Sequence, residues 1–249
     1  MRPKVYVTQP IGPTALARLK KIVDGEVMDA NPNLKAIVSM SITPDRIDVA
    51  GATKRKIPVT VVPAMAVETT ADISWALMMA VARNIVPADR FVRSGGFPGA
   101  QSNLFAGGFV WSKTIGLVGG RGRIGRAVMR RARGFDMKIL YQSRSRMDPA
   151  EEKELGATYV SLDELLKESD FVSLHPNMTD ETHHMIGERE FNLMKPTAYI
   201  INTARGPVID EKAMVRALQA GKIAGAGLDV FEREPFIEPE LLKMDNVVV

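Results

Sequence analysis

The chain has 249 residues, of which 45% are hydrophobic and 25% charged, and its net charge is +4 at pH 7. These values are typical of a globular protein with one large or two modest domains. The sequence contains no cysteine, which excludes disulfides, thiolate metal sites and cysteine nucleophiles, and we expect no metal site.

The most apolar stretch, residues 73–86, is too short to span a bilayer and carries Arg83. The first residues lead into Val5-Tyr6-Val7, a strand-like segment, and not into the pattern of a signal peptide. We therefore expect a cytoplasmic protein that does not enter a membrane.

Much of the positive charge lies in one segment, where the spacing of the arginines is typical of a solvated helix face. These residues are Arg121, Arg123, Arg126, Arg130, Arg131 and Arg133. No aromatic platform or known binding module accompanies them, so we expect no nucleic-acid partner.

Residues 1–65 predict a small second α/β domain. Its elements would be strands over 4–8, 34–40 and 59–62 and a helix near 13–23. Pro58 and Pro63 bracket the last strand and indicate a hinge at 63–67.

Residues 66–249 predict a dinucleotide-binding domain, which begins with a long helix and an arm over residues 68–112. Residues 68–92 predict one long helix with apolar residues on nearly every face, and the Gly-, Ser- and Phe-rich segment 94–112 predicts an arm or loop. The apolar helix and the arm together favour a homodimer, although the helix could instead be buried against the sheet.

From residue 114 the pattern alternates between strand and helix with short connections. The predicted strands are 114–118, 137–141, 157–160, 170–174, 197–202, 223–230 and 246–249, and the predicted helices are 123–133, 150–155, 161–168, 187–194 and 210–220. Ser161 and Glu164 form a capping-box pattern, Asp210 is positioned to cap the last helix, and Gly221 to end it. The strands are continuous apolar runs, as expected when helices cover both faces of a parallel sheet. The fold class is therefore α/β, a doubly wound, Rossmann-like parallel sheet with a second, smaller and incomplete α/β domain.

The strand at 114–118 runs into the pattern Gly120-x-Gly122-x-x-Gly125, with Arg121, Arg123 and Ile124 between the glycines. A strand that ends in glycines and opens a helix is a phosphate cradle, because the backbone turns tightly and the helix N-terminus offers free N–H groups. Glycines also form ordinary turns, so the pattern depends on its context.

The next strand ends in Ser143, Arg144, Ser145 and Arg146. An acidic residue here would bind the ribose 2′-hydroxyl of NAD, whereas hydroxyls and guanidiniums suit a 2′-phosphate. We therefore predict a preference for NADP(H), with NAD(H) possible as a second coenzyme. The alternative interpretation is a solvated basic turn.

Several further segments, taken with the glycine loop, resemble the D-isomer-specific 2-hydroxyacid dehydrogenases, and especially their glyoxylate/hydroxypyruvate reductase branch. The segments are Thr70-Ala71-Asp72, Ser173-Leu174-His175, Leu193-Met194-Lys195-Pro196, Asn202-Thr203-Ala204-Arg205-Gly206, and the run from Gly227 to Pro235. The resemblance covers most of the chain, and it implies that residues 1–65 form a partial substrate-binding and catalytic domain. It implies hydride transfer between a nicotinamide coenzyme and a small 2-keto or 2-hydroxy acid.

The resemblance also implies roles for individual residues. Arg205 would hold the substrate carboxylate and keto oxygen with its planar fork, and Glu234 would hydrogen-bond the catalytic histidine and keep it protonated. The remaining residues would lie along the coenzyme. These are Arg121 to Ile124 at the pyrophosphate, His175 and Pro176 in a coenzyme-side loop, Thr203 and Ala204 beside the nicotinamide ring, and Asp229 at its carboxamide.

The sequence departs from the family pattern in four places. The family's acid–base histidine would follow Asn246-Val247-Val248-Val249, where the printed chain ends, and the first domain is shorter by tens of residues, with an apparent splice near Gly25-Glu26. Ser41-Ile42-Thr43 replaces a glycine-containing loop for the substrate carboxylate, and Gly119-Gly120 adds one residue to the glycine loop.

Three histidines are present, and we expect none of them to replace the missing one: His175 ends a strand, and His183 and His184 lie in a polar surface segment. Two hypotheses follow. In the first, the chain is part of an NADPH-dependent 2-keto acid reductase whose native form includes the missing segments. In the second, it is a truncated, catalytically impaired NADP(H)-binding module. Retention of Arg205 and Glu234 favours the first.

Overall fold

The computed structural model describes residues 23–30, 33–39, 44, 47–100 and 103–249. The strand expected at 4–8, nearly all of the helix expected at 13–23, and Ser41-Ile42-Thr43 lie outside these residues. The chain divides into two compact units between Thr69 and Thr70.

In the first unit, β1 (Ile37–Ser39) pairs in parallel with β2 (Val59–Val61), with Ile37 opposite Val59. Two short helices, Gly25–Asp29 and Val49–Lys54, were not predicted. They enclose a small apolar cluster formed by Val23, Met28, Ile37, Ile47 and Ala52.

The region between residues 63 and 92 differs from the prediction in two ways. The long helix begins at Pro63 and ends at Ala82, so the residues expected to form a hinge at 63–67 are its first turns. Asn84 then adopts φ of +53°, a left-handed conformation that an α-helix does not tolerate, and a separate helix follows at Ile85–Arg93. The single helix predicted over 68–92 is therefore wrong: there are two.

The second unit contains a seven-stranded sheet in which every pairing is parallel, in the order β5-β4-β3-β6-β7-β8-β9. Its strands are β3 (Thr114–Val118), β4 (Lys138–Gln142), β5 (Ala157–Tyr159), β6 (Phe171–Leu174), β7 (Tyr199–Asn202), β8 (Gly225–Leu228) and β9 (Val247–Val248). All the residues of β6 and β8 are buried, because helices cover both faces. This is the doubly wound α/β fold that the alternating pattern predicted.

The helices of this sheet lie close to their predicted ranges. They are Arg123–Arg133, Pro149–Leu155, Leu162–Glu168, Glu188–Leu193 and Glu211–Gln219, with single 3₁₀ turns at Asp180–Thr182, Gly206–Val208 and Leu241–Lys243. Ser161 Oγ accepts the Glu164 N–H, which is the N-cap half of the predicted capping box. Asp210 Oδ1 accepts the Ala213 N–H, and Gly221 has φ of +64°, as the other two signals indicated.

The central strands pack their buried faces into a large hydrophobic core that includes Val118, Leu140, Leu174, Ile200 and Leu228. Residues 94–100 and 103–113 form no helix or strand, in line with the predicted arm. Within the described parts of the chain, we find no helix whose length and apolar character would let it cross a membrane.

Candidate coenzyme and substrate site

The strand order reverses direction between β3 and β6, which are neighbours in the sheet but are not consecutive in the chain. In open parallel sheets the crevice at such a point, at the carboxyl ends of the strands, is where ligands bind. The residues that the sequence nominated all lie on loops that leave this edge, after β3, β4, β6, β7 and β8, or in the helix turn that follows.

The loop after β3 makes its tight turn at Gly119, where φ is +77° and a Cβ would lie 2.6 Å from the Pro176 nitrogen. The Gly122 N–H then donates to the Gly119 carbonyl at 2.9 Å. Both Gly119 and Gly120 donate their N–H groups to the carbonyl of Gln142 at the end of β4. The additional residue in this loop therefore supplies the sharp turn, a role that the sequence did not assign to Gly119.

The other glycines of the loop allow neighbouring segments of the chain to pack closely. A Cβ on Gly120 would lie 2.7 Å from the Tyr141 Cβ, and one on Gly125 would lie 2.4 Å from the Gly120 carbonyl oxygen. The helix Arg123–Arg133 starts from Gly122, which provides no side-chain cap. Its first N–H groups therefore need an acceptor, and a pyrophosphate supplies one at the positive end of the helix dipole. The residues present fit a dinucleotide.

The turn after β4 is joined to the glycine loop by Arg121. Its backbone N–H donates to Ser143 Oγ at 3.0 Å, and its Nη1 donates to Ser145 Oγ at 2.8 Å. Arg144 is exposed and has no hydrogen-bond partner among the described residues. Both serines and Arg144 thus lie at one corner of the crevice.

Arg146 is not free to bind a 2′-phosphate in the way that the sequence suggested, because its guanidinium is paired with Glu152. Its Nε and Nη2 donate to the two carboxylate oxygens of Glu152 at 2.8 and 2.7 Å. Tyr141 donates its hydroxyl to the same carboxylate and accepts the Met147 N–H at 2.7 Å. The hydrogen bonds from Arg146 and Tyr141 lower the pKa of Glu152 to about 2, while burial and then Glu152 raise the pKa of Tyr141 to about 12. This hydrogen-bond network holds the turn after β4 in place.

His175 follows β6 and is buried, with 9% of its surface exposed. Its Nε2 lies 2.9 Å from Ser173 Oγ, and its Nδ1 has no hydrogen-bond partner among the described residues. Burial lowers the pKa of this imidazole to about 4, so the ring is neutral at physiological pH. A buried, neutral ring agrees with a structural role for His175 and not with the role of a proton donor. Pro176, the next residue, lies against the turn at Gly119.

The loop after β7 is held by Asn202, which is buried. Its Nδ2 donates to the Arg205 carbonyl and its Oδ1 accepts the Ala204 N–H, both at 3.0 Å. Thr203 Oγ1 lies 2.6 Å from Ser74 Oγ on the long helix. Thr203 and Ala204 are buried, whereas Arg205 is exposed and donates from Nη1 to the Ala204 carbonyl at 2.7 Å.

The loop after β8 lies directly beside it. The Asp229 N–H donates to the Asn202 carbonyl at 3.0 Å, and a Cβ on Gly206 would lie only 1.9 Å from the Phe231 carbonyl carbon. Glu234 Oε1 accepts the Phe231 N–H at 3.1 Å. Desolvation, and then the nearby Glu234 carboxylate, raise the pKa of Asp229. The structure thus brings Arg205, Asp229 and Glu234 onto two adjoining loops.

One residue of this loop, Glu232, has contacts that sequence reasoning missed. Its Oε1 lies 2.9 Å from His184 Nε2, and its Oε2 accepts the Glu211 N–H at 3.1 Å. His184 and Glu232 are 48 positions apart, and no local pattern pairs them. His183 and His184 stack at 4.0 Å and lie on the surface, as expected.

Comparison with known proteins agrees with this geometry. Residues 75–249 match the family of D-isomer specific 2-hydroxyacid dehydrogenases, in its NAD binding domain. The chain belongs to this family.

Within the family, the similar proteins include glyoxylate reductases. That of Thermococcus litoralis is 52% identical over 231 residues, which are 91% of this chain and 69% of that protein. That of Korarchaeum cryptofilum is also 52% identical, over 91% of this chain and 68% of that protein. The crystal structure of a glyoxylate reductase from Paecilomyes thermophila superposes with a TM-score of 0.78 at 41% identity, and the match covers 91% of this chain and 68% of that one.

Proposed function

We propose that this chain transfers a hydride between NADPH and a small 2-keto or 2-hydroxy acid, with glyoxylate and hydroxypyruvate as the first substrates to test. The observation that supports this most directly is a juxtaposition. The glycine cradle after β3 and the exposed Arg205 after β7 leave the same edge of one parallel sheet, with a single strand between them.

The coenzyme would be held by the loops that follow β3, β4 and β6. The N–H groups at the start of the helix Arg123–Arg133 would bind the pyrophosphate, and the turn at Ser143, Arg144 and Ser145 would bind the adenosine ribose. When bound, the nicotinamide supplies the hydride chemistry itself. Thr203, Ala204 and Asp229 would lie along its ring, because their loops form the other half of the crevice.

Arg205 would bind and orient the substrate. A guanidinium presents a planar fork of donors that fits a carboxylate and an adjacent keto oxygen at two points. Asn202 supports this placement, since its side chain accepts the Ala204 N–H and donates to the Arg205 carbonyl. The loop is therefore fixed before substrate arrives, which lowers the entropic cost of orientation.

Glu234 would act on the proton donor. In the family pattern an imidazole gives a proton to the carbonyl oxygen, and a glutamate beside it keeps that ring charged. Glu234 is exposed, and its Oε1 is oriented by the Phe231 N–H of the same turn. Desolvation, and then the Glu234 carboxylate, raise the pKa of Asp229, which indicates that the two carboxyl groups lie close together.

NADPH is the proposed coenzyme because the rim after β4 carries hydroxyls and Arg144 where an NAD-specific site would carry a carboxylate. The experiment is a titration of NADPH and NADH against the native protein, followed by a panel of 2-keto acids with the preferred coenzyme. Tight NADPH binding with turnover of glyoxylate or hydroxypyruvate supports the proposal. Binding without turnover of any 2-keto acid contradicts it, and so does failure to bind either coenzyme.

We also propose a homodimer. The arm presents Phe97, Phe109 and Trp111, which are 67%, 72% and 63% exposed, and large apolar residues concentrated in one segment indicate an interface. Sedimentation analysis at micromolar concentration tests this, and a monomer under those conditions would contradict it. The cytoplasmic location stays a prediction from sequence.

A further inference from the structure

We propose that Arg121, a glycine-loop residue, determines coenzyme specificity by binding the 2′-phosphate of NADP(H) together with Arg144, Ser143 and Ser145. The family pattern places this residue at the pyrophosphate. The inference rests on the proposed function, because it assumes that a dinucleotide occupies the crevice.

The first observation is that the side chain of Arg121 extends to the adjacent turn. Its backbone N–H donates to Ser143 Oγ at 3.0 Å, and its Nη1 donates to Ser145 Oγ at 2.8 Å. These serines are 22 and 24 positions away in sequence. The shared acceptor at Gln142, to which Gly119 and Gly120 both donate, brings the two loops together. Arg121 is therefore a constituent of the ribose-binding turn.

The second observation concerns donors that have no acceptor. A guanidinium carries five N–H donors. Among the described residues Ser145 is the acceptor for the Arg121 guanidinium, so most of its donors face solvent. Arg144 is likewise exposed, without a hydrogen-bond partner in the described ranges. Two guanidiniums and two hydroxyls at one corner match the several acceptor oxygens of a phosphate dianion.

The third observation is the difference in charge pairing between these arginines and their neighbours. Arg126 forms an ion pair with Glu151, and Arg146 forms one with Glu152. Arg121 and Arg144 have no carboxylate within ion-pair distance among the described residues. Arg144 contributes to lowering the pKa of Glu181, but less than the hydrogen bond from Thr179 does. Among the described residues, Arg121 and Arg144 thus bring two guanidiniums without an ion-paired carboxylate to the corner where a 2′-phosphate would lie.

The pyrophosphate does not need this side chain. The N–H groups that begin the helix Arg123–Arg133 have no side-chain cap and are oriented toward the crevice edge by the turn at Gly122. Arg123, on the same loop, is exposed and makes no contact with either serine. It is therefore the matched control for Arg121: it has the same charge and lies two residues away, but it does not contact the turn.

The test is equilibrium binding, measured by calorimetry or nicotinamide fluorescence. Four ligands are compared: NADPH, NADH, adenosine 2′,5′-bisphosphate and adenosine 5′-monophosphate. Loss of one charge-assisted contact corresponds to roughly tenfold or more in affinity. Arg121→Leu is expected to weaken NADPH and the bisphosphate by about that factor and to leave NADH and the monophosphate within about twofold. Arg144→Ala is expected to do the same, whereas Arg123→Leu should not change the ratio of NADPH to NADH affinity.

A second variant separates charge from support of the turn. Arg121→Gln keeps a donor for Ser145 and removes the charge, so it should lose the NADPH preference as Arg121→Leu does, with an unchanged melting temperature. If Arg121→Leu lowers the affinities for NADPH and NADH equally, or if Arg121→Gln keeps the preference for NADPH, the assignment of Arg121 is overturned. Either result leaves the proposed function intact. Absence of any NADPH preference in the unaltered protein overturns the coenzyme choice of the proposed function and the assignment with it. Failure to bind either coenzyme overturns the proposed function as a whole.

Discussion

The hydroxyls of Ser74 and Thr203 lie 2.6 Å apart in the interior, with 2% and 6% of the two residues exposed. Ser74 lies on the long helix and also contacts the Thr70 carbonyl at 2.7 Å. Thr203 precedes Ala204 and Arg205 on the loop after β7. This bond therefore joins the helix to the loop that carries the proposed substrate-binding arginine.

Ser74→Ala should destabilise the protein, because the buried Thr203 hydroxyl loses its partner. The expected loss is about 1–3 kcal/mol in the free energy of unfolding. We also expect a higher KM for the keto acid, since the Arg205 loop loses one of its attachments. Urea unfolding and steady-state kinetics measure the two effects. Thr69→Ala is the control, because the recorded partners of that exposed hydroxyl, in the part of the chain that the structure describes, are carbonyls of its own helix. A similar loss in both variants would argue against a special role for the Ser74–Thr203 pair.

Arg205→Ala should abolish reduction of glyoxylate or hydroxypyruvate and leave NADPH affinity nearly unchanged. The reason is that its guanidinium is proposed to contact the acid and not the coenzyme. Arg205→Lys keeps the charge but loses the planar fork, so only partial activity is expected. Kinetics and a parallel NADPH titration provide the measurement. Unimpaired turnover in Arg205→Ala would remove this residue from its role.

The buried His175 predicts a loss of stability on the acid side of neutrality. Burial lowers its pKa to about 4 in the folded protein, whereas the unfolded chain binds a proton near the ordinary value of 6.5. Between these values the unfolded state holds the extra proton, so the free energy of unfolding falls as pH decreases from 6.5 to 4. The shift corresponds to about 3 kcal/mol at most.

His175→Gln should remove this slope, because glutamine does not titrate. Urea unfolding at a series of pH values between 4 and 8 measures it. His183→Gln, at an exposed position, should keep the slope of the unaltered protein. An unchanged pH dependence in His175→Gln would mean that the ring is protonated inside the fold.

Gly206→Ala tests the close approach of the loops after β7 and β8, which carry the proposed catalytic residues. The new methyl group would lie 1.9 Å from both the carbonyl carbon and the carbonyl oxygen of Phe231, so one loop must move. We expect a loss of about 1–3 kcal/mol in stability and a reduced kcat, because Arg205 and Glu234 would no longer keep their relative positions. Gly187→Ala is the matched control, since the nearest atom to its added carbon is 3.6 Å away. Wild-type kcat in Gly206→Ala would show that the approach of the loops is unimportant.

The apolar strand runs and helix-capping signals in the sequence were sufficient to predict the doubly wound sheet. Apolar runs such as 114–118 and caps such as Asp210 act over a few residues, and so they can be read directly from the chain. The long helix was less predictable. The apolar pattern continues from 68 to 92, but Asn84 takes a left-handed conformation that ends the first helix, and composition does not reveal that break.

The sequence by itself determined the sheet, the glycine cradle and the identity of the residues at the strand ends, because strand period, glycine spacing and loop composition are local properties. The folded structure decided which partners the side chains of those residues contact. It paired Arg146 with Glu152, joined Arg121 to Ser145, and placed Ser74 against Thr203. The Arg121–Ser145 and Ser74–Thr203 contacts link positions that pack together only after the strands have assembled. The Arg146–Glu152 pair instead forms when the turn between them closes. The partner of a polar side chain is set by this packing, and so the chemistry of the site depends on contacts that no linear pattern contains.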